Sequence, residues 1–194
     1  DISETIDAIR EDVVNQAVSD YVPPMSLEEQ WNIAGLEKQL DAEFAVRLPL
    51  QQWLEEDENL HEESLRGRIV DAVGAAYRAK SSEVGADMRK IEKQIMLQIL
   101  DTLWKEHLAT MDHLRQGIHL RAYAQKNPKQ EYKKESFEMF SSMLDRVKHD
   151  VTTLLCRVQI RSEQEVEDLE QRRRKRAETA MRAQHPTAAG PTTA

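Results

Sequence analysis

Three histidines stand at six-residue intervals, and histidine is the side chain that most often binds transition metals. They are His107, His113 and His119. Zinc ligands on one helix lie three or four residues apart, because only those steps return to the same face. A step of six residues turns a helix by about 240°, so neighbouring histidines point to different faces. His61 opens the run HEES, but no histidine follows four residues later, as a zincin motif requires. The sequence therefore predicts no metal site, and we interpret these histidines as packing or solvated side chains.

The sequence lacks the residue patterns that three kinds of catalytic site require. A phosphate-binding loop needs closely spaced glycines followed by a lysine, and none of the six glycines has that arrangement. Acid–base catalysis needs a buried carboxyl pair, whereas acidic pairs such as Glu55 and Glu56 lie on polar faces. The single cysteine, Cys156, follows two leucines and is predicted to be a small buried hydrophobic residue rather than a nucleophile. We therefore predict that this chain is not itself an enzyme.

The stretch HLRAYAQKNPKQEYKK, residues 119–134, differs in charge from the rest of the chain. Six Lys and Arg residues lie between His113 and Lys134 against one Glu, which gives +5, while the whole chain carries −8. A turn needs no such bias, and two tyrosines add amphipathic surface, so we interpret the stretch as a contact site; a merely solubilising loop is the alternative. A second basic run, RRRKR at residues 172–176, follows an acidic run and is interpreted as a solvated helix with internal charge pairs. The negative net charge argues against a specific nucleic-acid binder.

Hydrophobic periodicity divides the chain into four segments. Residues 1–22 repeat apolar positions every three or four residues, which predicts an amphipathic helix that ends at Pro23 and Pro24. Residues 23–86 indicate several short helices, the first opened by a capping box of Ser26 and Glu29. Residues 162–194 begin as a charged helix and end in a polar tail that we predict to be disordered. The chain starts without Met and already in helical rhythm, so we interpret it as a piece of a longer protein, with no signal peptide and no membrane span.

Residues 87–161 are predicted to form a long antiparallel two-helix hairpin, which completes an all-α fold. Each helix would run about 30 residues, or about 45 Å. The break at residues 122–129, with Asn127 and Pro128, would reverse the chain, and residues 121–131 would form the tip. Apolar residues at alternating four- and three-residue steps predict the seam between the two helices. They are Met96, Leu100, Leu103, His107, Met111, Leu114 and Ile118 on the first helix, and Phe137, Phe140, Leu144, Val147, Val151, Leu154 and Val158 on the second.

The segment LDTLWKEHLATMDHLRQGIHLRAYAQKNPKQEYKKESFEMF, residues 100–140, closely resembles the two-helix finger of SecA, the motor ATPase of bacterial protein export. The runs SLEEQWNIAGL, LPLQQWL and LHEESLRGRI are similar to the helical wing domain of that family. The opening DISETIDAIREDVV is similar to the distal part of its long scaffold helix. The resemblance spans residues 1–161 in unbroken order.

The resemblance implies a role for the tip. In this family the finger approaches the mouth of the SecYEG channel and contacts the unfolded preprotein, and its tip tyrosine corresponds here to Tyr123. The neighbouring contact positions would be Arg121, Ala122, Gln125 and Lys126. Ala122 stands where the family has Gly, and alanine gives the backbone less freedom there.

The resemblance also implies what lies outside this chain. The hairpin would rest against motor domains that bind ATP and Mg, and it would help to restrain ATP hydrolysis. The parent protein would be cytoplasmic and peripherally associated with the anionic surface of the bacterial inner membrane. The family's C-terminal zinc motif is missing from these 194 residues, since no Cys follows Cys156, and it was either truncated or never present.

Two other interpretations stay open from the sequence. The chain could be a free-standing helical adaptor whose hairpin docks onto partner helices or onto a second copy, so that self-association would be expected. It could also bind nucleic acid through its two basic clusters, in which case affinity would fall steeply with salt.

Overall fold

The computed structural model describes residues 2–57, 60–118, 127–159 and Arg174. The predicted all-α class is confirmed, since this part of the chain contains α-helices and two short 3₁₀ turns and no strand. The helices are α1 (Ile2–Tyr21), α2 (Ile33–Phe44), α3 (Leu50–Glu56), α4 (Glu62–Val84), α5 (Met88–Gly117) and α6 (Pro128–Arg157). The 3₁₀ turns are Glu28–Gln30 and Gly85–Asp87. Beyond Val158 only Gln159 and the helical, exposed Arg174 are described, so the predicted tail at 162–194 otherwise lies outside the described residues.

One apolar core joins α1, α2, α4 and the segment around α3. On α4 the predicted stripe of Leu65, Ile69, Val73 and Tyr77 is buried along its whole length. Four-residue steps keep these side chains on one face, because 3.6 residues make one turn. The other core members are Val13, Val14, Ala17, Val18, Val22, Leu36, Leu40, Phe44, Leu50 and Leu60.

The predicted capping box at Ser26 and Glu29 is wrong. The Ser26 hydroxyl is already used, because it donates to the Pro23 carbonyl and accepts from Trp31 Nε1 at 2.9 Å. Glu28–Gln30 form a 3₁₀ turn, and α2 begins only at Ile33. Its cap is Asn32, whose side-chain oxygen accepts the Gly35 backbone N–H at 2.9 Å and so satisfies one free amide of the first turn.

Helices α5 and α6, of 30 residues each, pack lengthwise and run in opposite directions. The start of α5 and the end of α6 both contact α4, through Tyr77 to Glu92 and through Lys80 to Leu155. These two contacts lie one turn apart on α4. The start of α5 and the end of α6 are therefore close together, which makes the two helices antiparallel. Each is about 45 Å long at 1.5 Å per residue.

The seam predicted between these helices is partly wrong. Leu103, Leu114, Ile118, Val147 and Val151 are buried as predicted. Helix α6 also packs against α1 and α2, so its buried face is turned toward them and follows four-residue steps. The residues of that face are Met143, Val147, Val151 and Leu155, whereas Leu100, Phe137, Phe140, Leu144 and Leu154 are exposed.

Candidate functional site

The hairpin tip is the site predicted from the sequence, and its two ends are described. Helix α5 ends at Gly117, followed by the buried Ile118. Helix α6 begins at Pro128, and the Asn127 side chain caps it by accepting the Lys129 backbone N–H at 3.1 Å. The five predicted contact residues lie between these ends and outside the described residues. They are Arg121, Ala122, Tyr123, Gln125 and Lys126.

The positive charge around the tip is partly neutralised by acids just outside the basic stretch. Arg115 Nη2 lies 2.7 Å from Asp112, and Lys134 Nζ lies 3.9 Å from Glu138. Both acids fall outside the window of residues 113–134 from which the charge of +5 was counted. Lys129 and Lys133, at the start of α6, are exposed to solvent. The excess charge is therefore concentrated in residues 119–133.

One side of the hairpin carries exposed apolar side chains, which we call the apolar face. Leu97, Leu100, Trp104 and Leu108 follow one another along α5 at three- and four-residue steps, and Phe137, Phe140 and Leu144 do so along α6. The His107 ring connects the two sets, since its centroid lies 5.6 Å from that of Trp104 and 5.8 Å from that of Phe140. Phe137 is 71% exposed and Leu108 52% exposed. Contiguous apolar surface of this kind is typical of a docking site.

A buried polar cluster lies at the other end of the hairpin, its base. Glu92 on α5 is fully buried, and its Oε1 accepts a hydrogen bond from the Tyr77 hydroxyl of α4 at 2.8 Å. Arg89 Nη1 lies 2.8 Å from Glu92 Oε2 as an ion pair without hydrogen-bond alignment. The Arg10 guanidinium of α1 lies 4.5 Å from the centre of the Tyr77 ring and donates to Asp7 at 2.7 Å. Burial, and then the bond to Glu92, raise the pKa of Tyr77 far above its ordinary value.

Lys80, on α4, caps the end of α6, the other helix of the hairpin. Its ammonium donates to the backbone carbonyls of Leu155 and Cys156 at 2.9 and 3.0 Å. These are among the last carbonyls of α6, which have no partner within the helix. A cation at this end also interacts favourably with the helix dipole. Burial lowers the pKa of Lys80.

Cys156 is partly buried beside this cluster. Burial raises the pKa of its thiol to about 11, although the charges of Arg10 and Lys80 favour the thiolate. A nucleophilic cysteine needs the opposite shift, because the thiolate is the reactive form. The thiol therefore behaves as a packing group.

A cleft of about 690 Å³ lies between α1, α2 and α6. Basic and acidic side chains both line it, with Lys148 Nζ 2.8 Å from Asp12 and His149 Nε2 3.3 Å from Glu43. Such a lining selects no single ligand charge. Among the described residues no group of three His, Cys, Asp or Glu side chains is placed to hold a metal ion. No described helix is long and apolar enough to cross a membrane.

Sequence reasoning missed the base cluster, although one signal for it is present. Met88, Glu92 and Met96 follow each other at four-residue steps, so the sequence places an acid on a helix face with two apolar residues. Met88 and Glu92 are fully buried. A buried acid requires a donor, but the periodicity does not say that the donor is Tyr77.

A comparison with known protein families places this architecture. The model of the SecA wing and scaffold domain matches residues 1–159. The match covers α1 to α6 and therefore includes the hairpin with both of its helices.

Proposed function

The chain belongs to the SecA family, whose wing and scaffold domain is part of the motor for protein translocation, and we propose that its hairpin carries the contact with the translocating chain. In this proposal the tip residues Arg121, Ala122, Tyr123, Gln125 and Lys126 touch the unfolded preprotein at the mouth of the SecYEG channel. The observation that supports it is a pair of 30-residue helices that ends in a basic, aromatic segment.

A tyrosine suits contact with a substrate of varying sequence. Its ring offers apolar area and its hydroxyl offers a hydrogen bond, so Tyr123 can hold many side chains without selecting one. Lys126, Lys129 and Lys133 add positive charge that can meet acidic groups of a channel loop. Steering by such exposed charges weakens as salt screens them.

The stiffness of the hairpin supports a mechanical role. Helices α5 and α6 hold each other through Leu103, Leu114, Met143 and Val147, which are buried between them or against their neighbours. In this proposal a displacement at the base is carried along the paired helices to the tip, about 45 Å away.

We also infer that the apolar face receives the motor domains, which bind ATP and Mg outside this chain. Leaving Trp104, Leu108, Phe137 and Phe140 in water is unfavourable, and each would gain roughly 25 cal/mol for every Å² covered. A domain docked there would sense the position of the hairpin, which gives ATP hydrolysis a physical connection to the tip. The parent motor would act from the cytoplasm, peripherally attached to the inner membrane.

Cross-linking tests the proposed tip contact. Tyr123→Cys in the full motor, reacted with a stalled preprotein that carries one cysteine, should give an adduct that requires ATP and the channel. Ser142→Cys, exposed on α6 about 20 Å beyond its start at Pro128, is the control and should react much less. No adduct at Tyr123, together with full translocation by Tyr123→Ala, would contradict the proposal.

The apolar face is tested by ATP turnover. Leu108→Ser should raise ATP hydrolysis in the absence of preprotein, because the docked motor domains lose part of their contact. Leu154→Ser is the control, since Leu154 is also exposed on the hairpin but lies outside the apolar face. Equal turnover in the two variants would show that the face does not restrain the motor.

A further inference from the structure

Helix α4 contacts both helices of the hairpin through two polar side chains on one of its faces. Tyr77 and Lys80 are three residues apart, so they lie side by side along the helix. Tyr77 donates to Glu92 near the start of α5, and Lys80 donates to the carbonyls of Leu155 and Cys156 at the end of α6. One turn of α4 thus holds both ends of the hairpin's base.

These contacts are directional, which distinguishes them from the apolar packing around them. A hydrogen bond weakens steeply when its angle departs from linearity, whereas apolar contact is non-directional. Glu92 is fully buried, so its carboxylate cannot exchange Tyr77 for water when the hairpin tilts. Arg10 reinforces the arrangement from α1, because its guanidinium lies over the Tyr77 ring at 4.5 Å.

We propose that Tyr77 and Lys80 are positioning residues that fix the direction of the hairpin relative to α4 and α2. The effect on transport rests on the proposed function, but the positioning itself does not. From Glu92 to His113 the helix rises about 32 Å, so a tilt of about 10° at the base moves His113 by about 5 Å. Small changes at α4 are therefore amplified at the tip.

The distance between two spin labels tests this positioning in the chain itself. One label is attached through His113→Cys on α5 and the other through Lys38→Cys on α2, and both positions are exposed. Cys156 is left in place, because its thiol is partly buried and its raised pKa makes it react slowly. The chain without introduced cysteines shows the background of labelling at that position.

Four variants separate positioning from general loss of structure. Tyr77→Phe and Lys80→Met should broaden the distance distribution or shift its mean by about 5 Å, the displacement of a 10° tilt, and combining them should increase the effect. Lys80→Arg keeps a donor for the carbonyls and should restore a narrow distribution. The control is Lys90→Met. Lys90 is an exposed lysine near the start of α5, and it pairs with Asp87 three residues before it. Its replacement should leave the distance distribution unchanged.

The distance measurement decides the inference. An unchanged mean and width in the combined variant, or equal broadening in Lys80→Arg and Lys80→Met, would overturn it. In the full motor the same variants should lower the number of residues translocated per ATP hydrolysed. A broadened distance distribution with an unchanged number of residues translocated per ATP would support the positioning role. The same result would contradict the proposed action of the tip.

Discussion

The hydrogen bond between Tyr77 and Glu92 should dominate the stability of the hairpin base. Tyr77→Phe removes the hydroxyl that donates to Glu92 Oε1 at 2.8 Å and keeps the ring beneath Arg10. Because the aromatic area is retained, no large cavity forms. Glu92 is fully buried and loses its one aligned donor in the described structure. Hydrogen bonds to charged groups contribute about 1.5–3 kcal/mol, so we expect the free energy of unfolding to fall by about 2 kcal/mol.

Chemical denaturation followed by circular dichroism measures this loss, and thermal unfolding should show a midpoint lower by about 4–8 °C. The control is Tyr132→Phe, whose ring lies near the tip end of α6 and outside the cluster, and whose effect should stay within about 0.5 kcal/mol. In a Glu92→Gln background the acceptor is neutral, so Tyr77→Phe should cost only about 1 kcal/mol. The difference between the two backgrounds isolates the charge of Glu92.

The same residue predicts an alkaline limit. Since the pKa of Tyr77 is raised in the folded chain, the unfolded chain releases its proton first, and stability falls as the pH rises above about 10. The Phe variant lacks this contribution and should have a flatter profile there. Two results would refute the stabilising role of the bond between Tyr77 and Glu92. One is a loss of unfolding free energy below about 0.5 kcal/mol for Tyr77→Phe. The other is an equal loss for Tyr77→Phe in the native and the Glu92→Gln backgrounds.

Three further predictions concern single positions. The pKa of the Cys156 thiol is raised to about 11, so the stability contributed by the neutral thiol should be lost between about pH 9 and pH 11, by up to about 3 kcal/mol. Chemical denaturation at a series of pH values, compared with Cys156→Ser, measures this loss. Parallel curves of unfolding free energy against pH would contradict the prediction. Ala45 ends α2 with φ of 56°, so Ala45→Gly should raise the unfolding free energy by about 0.5–1 kcal/mol. Ala42→Gly, inside the helix, should lower the unfolding free energy. If Ala42→Gly were the more stable variant, strain at Ala45 would be excluded. Leu103→Ala should lower the free energy of unfolding by about 2–5 kcal/mol, because it empties a buried position. Leu108→Ala, on the exposed apolar face, should lower it far less. Equal losses in the two variants would mean that the apolar face is covered.

Periodicity predicted the helices better than it predicted their faces. The stripe on α4 from Leu65 to Tyr77 is buried as expected, because that helix packs on one side only. On α6 the prediction assumed one partner, α5, and therefore placed Phe137 and Phe140 inside. The helix in fact also contacts α1 and α2, and four-residue steps from Met143 to Leu155 satisfy both sets of neighbours. Which partners a helix has is a property of the tertiary fold, and a single stripe of residues does not encode it.

The phenylalanines that were predicted to be buried in the seam, but are exposed, indicate where a partner would bind. A sequence pattern marks every residue that is apolar, without distinguishing those that pack within the chain from those that pack against another domain. Leu100, Phe137, Phe140 and Leu144 were predicted to lie in the seam and are nevertheless exposed in this chain. The residues that periodicity assigned to a core and the fold leaves in water are therefore the positions at which a partner is expected.

The distribution of polar and apolar contacts along the hairpin follows from what each can do. Burial of apolar surface stabilises a helix pair through a non-directional effect, whereas a hydrogen bond weakens steeply when its angle departs from linearity. Replacing a buried ion pair by apolar residues is often neutral or stabilising, so the pair of Glu92 with Arg89 is not explained by stability alone. At the base of a 45 Å lever, the directional bonds of Tyr77 and Lys80 restrict the angle where a small error would be magnified most.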